Sequence, residues 1–257
     1  MVGKITLNNS RYKYHNKGFT SIVNEIIGLS KIHYSKWGNY KVIVEDTQVL
    51  ELFENIYIPE KTDIFYDVSD IFFRDFDRGK FNNLYNAHTL VNIEDIKTKK
   101  VSNILKLKPT INKLLETTKK TIIGEDKYVG LQIRGTDKST EIPRIEIENV
   151  YRHIDKSLLF DDEIKKVFLS TDDIYYREML LKKYGNDVII FNQNNLISYD
   201  NKPIHKKNDR KRVNFEVMSD VYILSKCDYL LYCFSNVSFL ALSMMNDYNK
   251  KIININN

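Results

Sequence analysis

From residue 128 onward the chain alternates short apolar runs with segments of helical period, and that alternation admits few folds. Residues 128–133 (YVGLQI) read as a strand, after which Ile147, Val150, Tyr151, Ile154 and Leu158 fall on one helical face. Residues 167–170 give a second strand. Thr171-Asp172-Asp173 then has the make-up of a helix N-cap, and the helix it opens stops at Gly185. A third strand is expected at 188–191, a polar loop over 192–214, and a helix over 215–226. A strand at 229–232, a helix at 235–245 and a short strand at 251–253 complete the series. Repeated β–α alternation predicts an α/β fold with a parallel, doubly wound sheet, whose ligands sit at the carboxyl ends of the strands.

The first half repeats the theme less regularly. A strand at 4–7 and a turn at Lys17-Gly18 lead into a helix over 20–34, where Ile22, Ile26, Leu29 and His33 keep helical spacing. Gly38 and Asn39 break it before a buried strand at 41–44. Residues 103–118 read as an amphipathic helix in which Pro109 marks a kink or a boundary. The polar stretch 117–127 suggests a junction, giving expected domains of 1–120 and 121–257.

Composition narrows the function classes. With 42% hydrophobic and 28% charged residues, the 257-residue chain is globular and long enough to bury a substantial core. A net charge of +5 suits an anionic small molecule as well as nucleic acid. The basic stretch His205 to Arg212 lacks interleaved aromatics, so it reads as a solvated loop and no nucleic-acid partner is expected. Cys227 and Cys233 flank an apolar strand and read as reduced core thiols; no zinc-spaced cluster accompanies them. No segment reads as a signal peptide or membrane span, because Ser235, Asn236, Ser238 and Ser243 interrupt the most apolar window. A soluble, cytoplasmic protein without stable membrane insertion is the expectation.

Three polar clusters follow strands, where a doubly wound sheet binds its ligand. After the first strand comes Gln132-Ile133-Arg134-Gly135-Thr136-Asp137-Lys138-Ser139-Thr140-Glu141. An arginine leaving a strand end can fork onto phosphate oxygens, or its loop can pair its charges internally. Thr171-Asp172-Asp173 is either a helix cap or, through its adjacent aspartates, a divalent-metal site, for which no third ligand stands out. Ser235-Asn236 opens a helix whose N–H groups favour a phosphate, with plain capping as the alternative. Asp220 lies inside the preceding helix, where it can pair with a lysine or accept from a guanine edge.

These clusters, in order, resemble the three motifs shared by the α1,6-fucosyltransferases, the bacterial nodulation fucosyltransferases and the protein O-fucosyltransferases. The matching segments are QIRGTDKSTE, VFLSTDD and DVYILSKCDYLLYCFSN. The segment KGFTSIVNEIIGLSKIHYSKWGNYKVIVED is similar to the family's Gly-Phe turn, helix and strand. The chain departs from the pattern at Gln132, where the family commonly has His, and at Gly135, where the α1,6 branch has a second Arg. Glu141 also follows Lys138 one residue early.

The resemblance implies a GT-B-like architecture, with two Rossmann-like domains facing across a cleft and GDP held mainly by the C-terminal one. It implies inverting transfer of fucose from GDP-fucose to a glycan or protein-linked hydroxyl, with no metal and no other cofactor. Donor-binding roles fall to Gly18, Phe19, Gln132, Arg134, Asp172, Asp173, Asp220, Ser235 and Asn236, and catalytic roles to Glu141, Arg134 and Lys138. A transferase for another GDP- or dTDP-deoxysugar, and a catalytically silent GDP-sugar-binding module, stay open as alternatives.

Overall fold

A computed structural model describes residues 3–7, 20, 40–44, 57–59, 105–135, 144–192, 197–198, 210–245 and 251–256. The chain divides into two compact units, residues 1–112 and 113–257.

In the first unit, β1 (Gly3–Leu7) and β2 (Tyr40–Val44) pair in parallel, Gly3 opposite Tyr40 and Leu7 opposite Val44. Parallel neighbours need a crossover of a dozen or more residues, and the helix expected over 20–34 falls in that interval. Thr20 is helical and buried; the remainder of that helix lies outside the described residues. β3 (Tyr57–Pro59) pairs antiparallel with β4 (Leu105–Leu107). Here the structure corrects the expected helix over 103–118. β4 occupies its start, and α1 runs over Pro109–Ile122. Proline lacks an N–H and presets φ, which suits the first helical position and not the interior. Pro109 therefore opens the helix, and the chain ahead of it pairs as a strand. Gly124 follows the end of α1 with a φ of 81°, a left-handed conformation natural to glycine.

Among its described residues the second unit holds a sheet of five strands. They are β5 (Tyr128–Ile133), β6 (Lys166–Thr171), β7 (Ile189–Ile190), β8 (Tyr229–Tyr232) and β9 (Lys251–Asn254). Their order is β7-β6-β5-β8-β9, and every neighbouring pair is parallel. The first strand in sequence is central, and the order reverses between β5 and β8. That reversal is the switch point at which doubly wound sheets bind ligands. β7 is shorter than the strand expected over 188–191.

Among the described residues of the second unit, the remaining helices are α2 (Ile147–Phe160), α3 (Ile174–Tyr184), α4 (Arg210–Lys226) and α5 (Asn236–Met244). Every residue of β5 is buried, so both faces of the central strand are covered. Ile147, Val150 and Ile154 of α2 join Val167, Leu169, Leu180 and Ile189 in one buried cluster, each burial stabilising by about 1.5–3 kcal/mol. α3 ends at Gly185 as expected, with φ 77°. α4 starts at Arg210, so the expected loop over 192–214 and helix over 215–226 are corrected by more than a turn. Cations in a first turn oppose the helix dipole, but burial of Val213 and Asn214 and an Arg212 Nε to Glu216 Oε1 contact at 2.9 Å hold that turn in place.

Two hydrogen bonds fix the direction of α4. Tyr128, at the start of β5, donates from its hydroxyl to the Ile223 carbonyl at 2.7 Å. Ser170, near the end of β6, donates to Asp220 Oδ2 at 2.7 Å. The N-terminal half of α4 therefore lies toward the carboxyl edge of the sheet. Among the described residues, no helix is long and apolar enough to cross a membrane.

Gly130 lets the C-terminal end of α4 approach β5. A Cβ there would stand 2.9 Å from Cys227 Sγ and 3.1 Å from Leu224 Cδ2. Gly130→Ala is expected to destabilise by about 1–3 kcal/mol, read from urea midpoints. Adding Cys227→Ala should recover part of that loss, whereas strict additivity would place the crowding elsewhere.

Candidate functional site

At the carboxyl edge, the ends of β5 and β6 are joined by one carboxylate. Asp172 Oδ1 accepts from the Gly135 N–H at 3.0 Å, and its Oδ2 lies 3.6 Å from Arg134 Nε. Both side chains are largely buried, with 13% of Asp172 and 19% of Arg134 exposed, so the pair is less screened than a surface pair. Asp173 turns to different partners. Its Oδ1 accepts from the Tyr175 N–H at 2.9 Å and caps α3, and its Oδ2 pairs with the Arg144 guanidinium. That guanidinium also lies 4.6 Å from the centre of the Tyr175 ring. Gly135 and Arg144, which flank the segment 136–143, are thus held by adjacent aspartates.

Gly135 has a steric reason to be glycine. A Cβ at that position would stand 2.7 Å from the Asp173 Cβ and 2.8 Å from its Cγ. An arginine in its place, as the resembled motif carries, does not fit while Asp173 caps α3.

A second cluster ties β5 to β8. Gln132 is buried, and its Oε1 accepts from Ser235 Oγ at 2.8 Å, Ser238 Oγ at 2.6 Å and Cys233 Sγ at 3.2 Å. Ser235 is the N-cap of α5, its Oγ accepting from the Ser238 N–H at 3.1 Å. Capping leaves the first-turn N–H groups as the positive end of the helix, at the β5–β8 switch point. Cys233 Sγ accepts from the Arg134 N–H at 3.2 Å, which anchors the backbone of Arg134 to β8. Burial pushes the Cys233 thiol up to about 12, and both cysteines are thiols rather than halves of a disulfide.

Of the residues named from sequence, the structure gathers Gln132, Arg134, Asp172, Asp173, Ser235 and Asn236 along this edge. Asp220 joins them from α4 through Ser170. Gly18, Phe19, Lys138 and Glu141 lie outside the described residues. Sequence reasoning did not single out Arg144, Ser238 or Glu216, and it gave Ser170 no role although that residue lies in the second motif. Ser238, three residues after a capping serine, was the one with a readable signal. Among the described residues, no three His, Cys, Asp or Glu side chains group as a metal site.

The family model for alpha-(1,6)-fucosyltransferase N- and catalytic domains matches residues 75–253. The fold is similar to NodZ alpha-1,6-fucosyltransferase soaked with GDP-fucose, at 12% identity, with 89% of each chain covered and a TM-score of 0.53. It is also similar to fucosyltransferase NodZ from Bradyrhizobium, at 11% identity, with 88% of each chain covered and a TM-score of 0.52. A mutant of Arabidopsis thaliana FUT1 in complex with GDP matches at 9% identity, over 99% of this chain and 70% of that one, with a TM-score of 0.58. No curated protein matches the chain in sequence.

The buried thiol gives a test of this packing. Raising its pKa keeps Cys233 neutral in the folded chain, so its contribution to stability is intact below the unfolded thiol value. That contribution declines as pH climbs from there toward about 12. Native protein at pH 8 is expected to resist iodoacetamide at both cysteines, and urea-unfolded protein to react fully. Rapid labelling of the native chain would show Cys233 open to solvent.

Proposed function

The chain belongs to the alpha-(1,6)-fucosyltransferase family and is a glycosyltransferase, and from that premise we propose that it moves fucose from GDP-fucose to a glycan hydroxyl with inversion. The observation that carries this reading is the cluster at the switch point. Arg134, held by Asp172 and Cys233, stands beside the capped N-terminus of α5. A guanidinium and a helix N-terminus on one edge form an anion site suited to a diphosphate.

In the proposed reaction the acceptor oxygen attacks the anomeric carbon from the face opposite the diphosphate. The bond from that carbon to the phosphate oxygen breaks, and the acceptor proton passes to a base. Glu141 is the proposed base and Lys138 tunes it. Arg134 and the α5 N-terminus neutralise the charge growing on the departing diphosphate, so no metal is required for that role. Asp220 is proposed to read guanine. Asp172 and Asp173 serve the donor site by holding Arg134, Gly135 and Arg144. Gly18 and Phe19 are proposed to face the sugar from the N-terminal half, completing a GT-B-like cleft between two Rossmann-like domains.

Calorimetry is expected to show GDP bound more tightly than UDP or ADP, and equal affinity for UDP would overturn the assignment. Arg134→Ala should weaken GDP and lower transfer by about 10²–10³, with little rescue by lysine because a point charge lacks the fork.

Glu141→Gln should bind GDP like the parent and lose transfer by roughly 10²–10⁴. A near-parental rate would move the base elsewhere. Donor turnover should survive excess EDTA, whereas loss that manganese restores would make Asp172 and Asp173 ligands. GDP-fucose binding without turnover on any glycan would leave a binding module.

A further inference from the structure

Buried carboxylate oxygens are nearly always hydrogen-bonded, because taking one out of water without a partner carries a large desolvation penalty. Glu216 on α4 departs from that rule. The residue is 6% exposed, and its Oε1 accepts from Arg212 Nε at 2.9 Å. Its Oε2 is buried and has no hydrogen-bond partner among the described residues. Glu216 is neither a helix cap nor part of the apolar cluster, and its pairing with Arg212 uses Oε1 alone, so the fold gives no reason for a second buried acceptor there.

Its position points to what it accepts. Asp220 meets Ser170 near the carboxyl end of β6, while Ile223 meets Tyr128 at the start of β5. Glu216 precedes Asp220 by one turn on the same helical face, so it lies about 6 Å farther toward the carboxyl edge. That is the edge on which Arg134 and the α5 N-terminus form the diphosphate site. A carboxylate repels a diphosphate, so its complement is the other end of the ligand, where N–H and O–H donors are found.

We propose that Glu216 is a second nucleoside-reading carboxylate, its Oε2 accepting one hydrogen bond from the base or ribose of the bound nucleoside diphosphate. The proposal rests on the GDP-donor reading above and extends it to a residue that the three motifs do not contain. Arg212 holds Oε1 and so aims Oε2. Asp220 Oδ2 is already engaged by Ser170, which makes the two carboxylates complementary in function. The arrangement also sets folding against binding. Without nucleotide the orphan oxygen weakens the folded state, and with nucleotide it gains a charged hydrogen bond.

The test is calorimetry of the full chain and of Glu216→Gln with GDP, inosine diphosphate, and 2′- and 3′-deoxy-GDP, alongside thermal melts without nucleotide. Glu216→Gln is expected to weaken GDP by about 10–100-fold, with a melting temperature unchanged or raised. If the contact is to the base amino group, the variant loses the parental preference for GDP over inosine diphosphate. If it is to the ribose, the variant loses the preference for GDP over one deoxy analogue. Should Glu216→Gln fail to fold, Glu216→Asp keeps the charge, withdraws it by one methylene, and is read in the same way. GDP affinity within twofold of the parent overturns the role of Glu216 and leaves the fucosyl-transfer reading intact. A lowered melting temperature with all nucleotides weakened equally makes Glu216 purely structural and overturns it too. A parent chain that binds no GDP removes both proposals together.

Discussion

At the carboxyl end of β6 the chain sets two neighbouring carboxylates to work on different partners. Asp172 takes the Gly135 N–H and the Arg134 guanidinium, and Asp173 takes the first turn of α3 and Arg144. With 3% of its side chain exposed, Asp173 is a buried charge, and a buried charge persists only when paired and hydrogen-bonded. Its neighbours are therefore constrained by it. Gly135 must lack a side chain, Arg144 must reach back across the strand end, and α3 must begin where it does. The ends of β5 and β6, the start of α3 and the flanks of residues 136–143 all follow from one dipeptide.

The order of elements in the second unit was legible from sequence because hydrophobic period and turn residues agree there. Gly185 ends a helix with a positive φ, and Asp173 and Ser235 cap helices by side-chain hydrogen bonds. Errors arose where two local signals competed. Residues 103–108 have helical spacing, but Pro109 can open a helix and cannot sit inside one, so the spacing was accidental. The first turn of α4 reads as a basic loop because its stabilisation is tertiary, through buried Val213 and Asn214.

The candidate site was partly legible for a related reason. Arg134, Asp172, Asp173 and Ser235 stand next to strands and helix starts, so position alone marks them, whereas Asp220 lies inside α4 and is marked by the motif it opens. What they touch was not readable. Gln132 looks like one more polar residue on a buried strand, yet its oxygen gathers Ser235, Ser238 and Cys233. Glu216 reads as an ordinary helix glutamate until its burial is known. Period reports which face a residue lies on, and not whether a polar atom on that face finds a partner.

The hydrogen bonds that join β5 to β8 at the site connect residues 99 to 106 positions apart. During synthesis at about 5–20 residues per second, roughly 5–20 s separate the appearance of Gln132 from that of its partners. For that interval the growing chain carries the β5 edge without the strand that covers it and the Gln132 oxygen without its serines. An uncovered edge of that kind invites pairing with other chains. The nascent protein therefore passes through a sticky stage, and that stage ends only when the helix bearing Ser238 leaves the ribosome and docks.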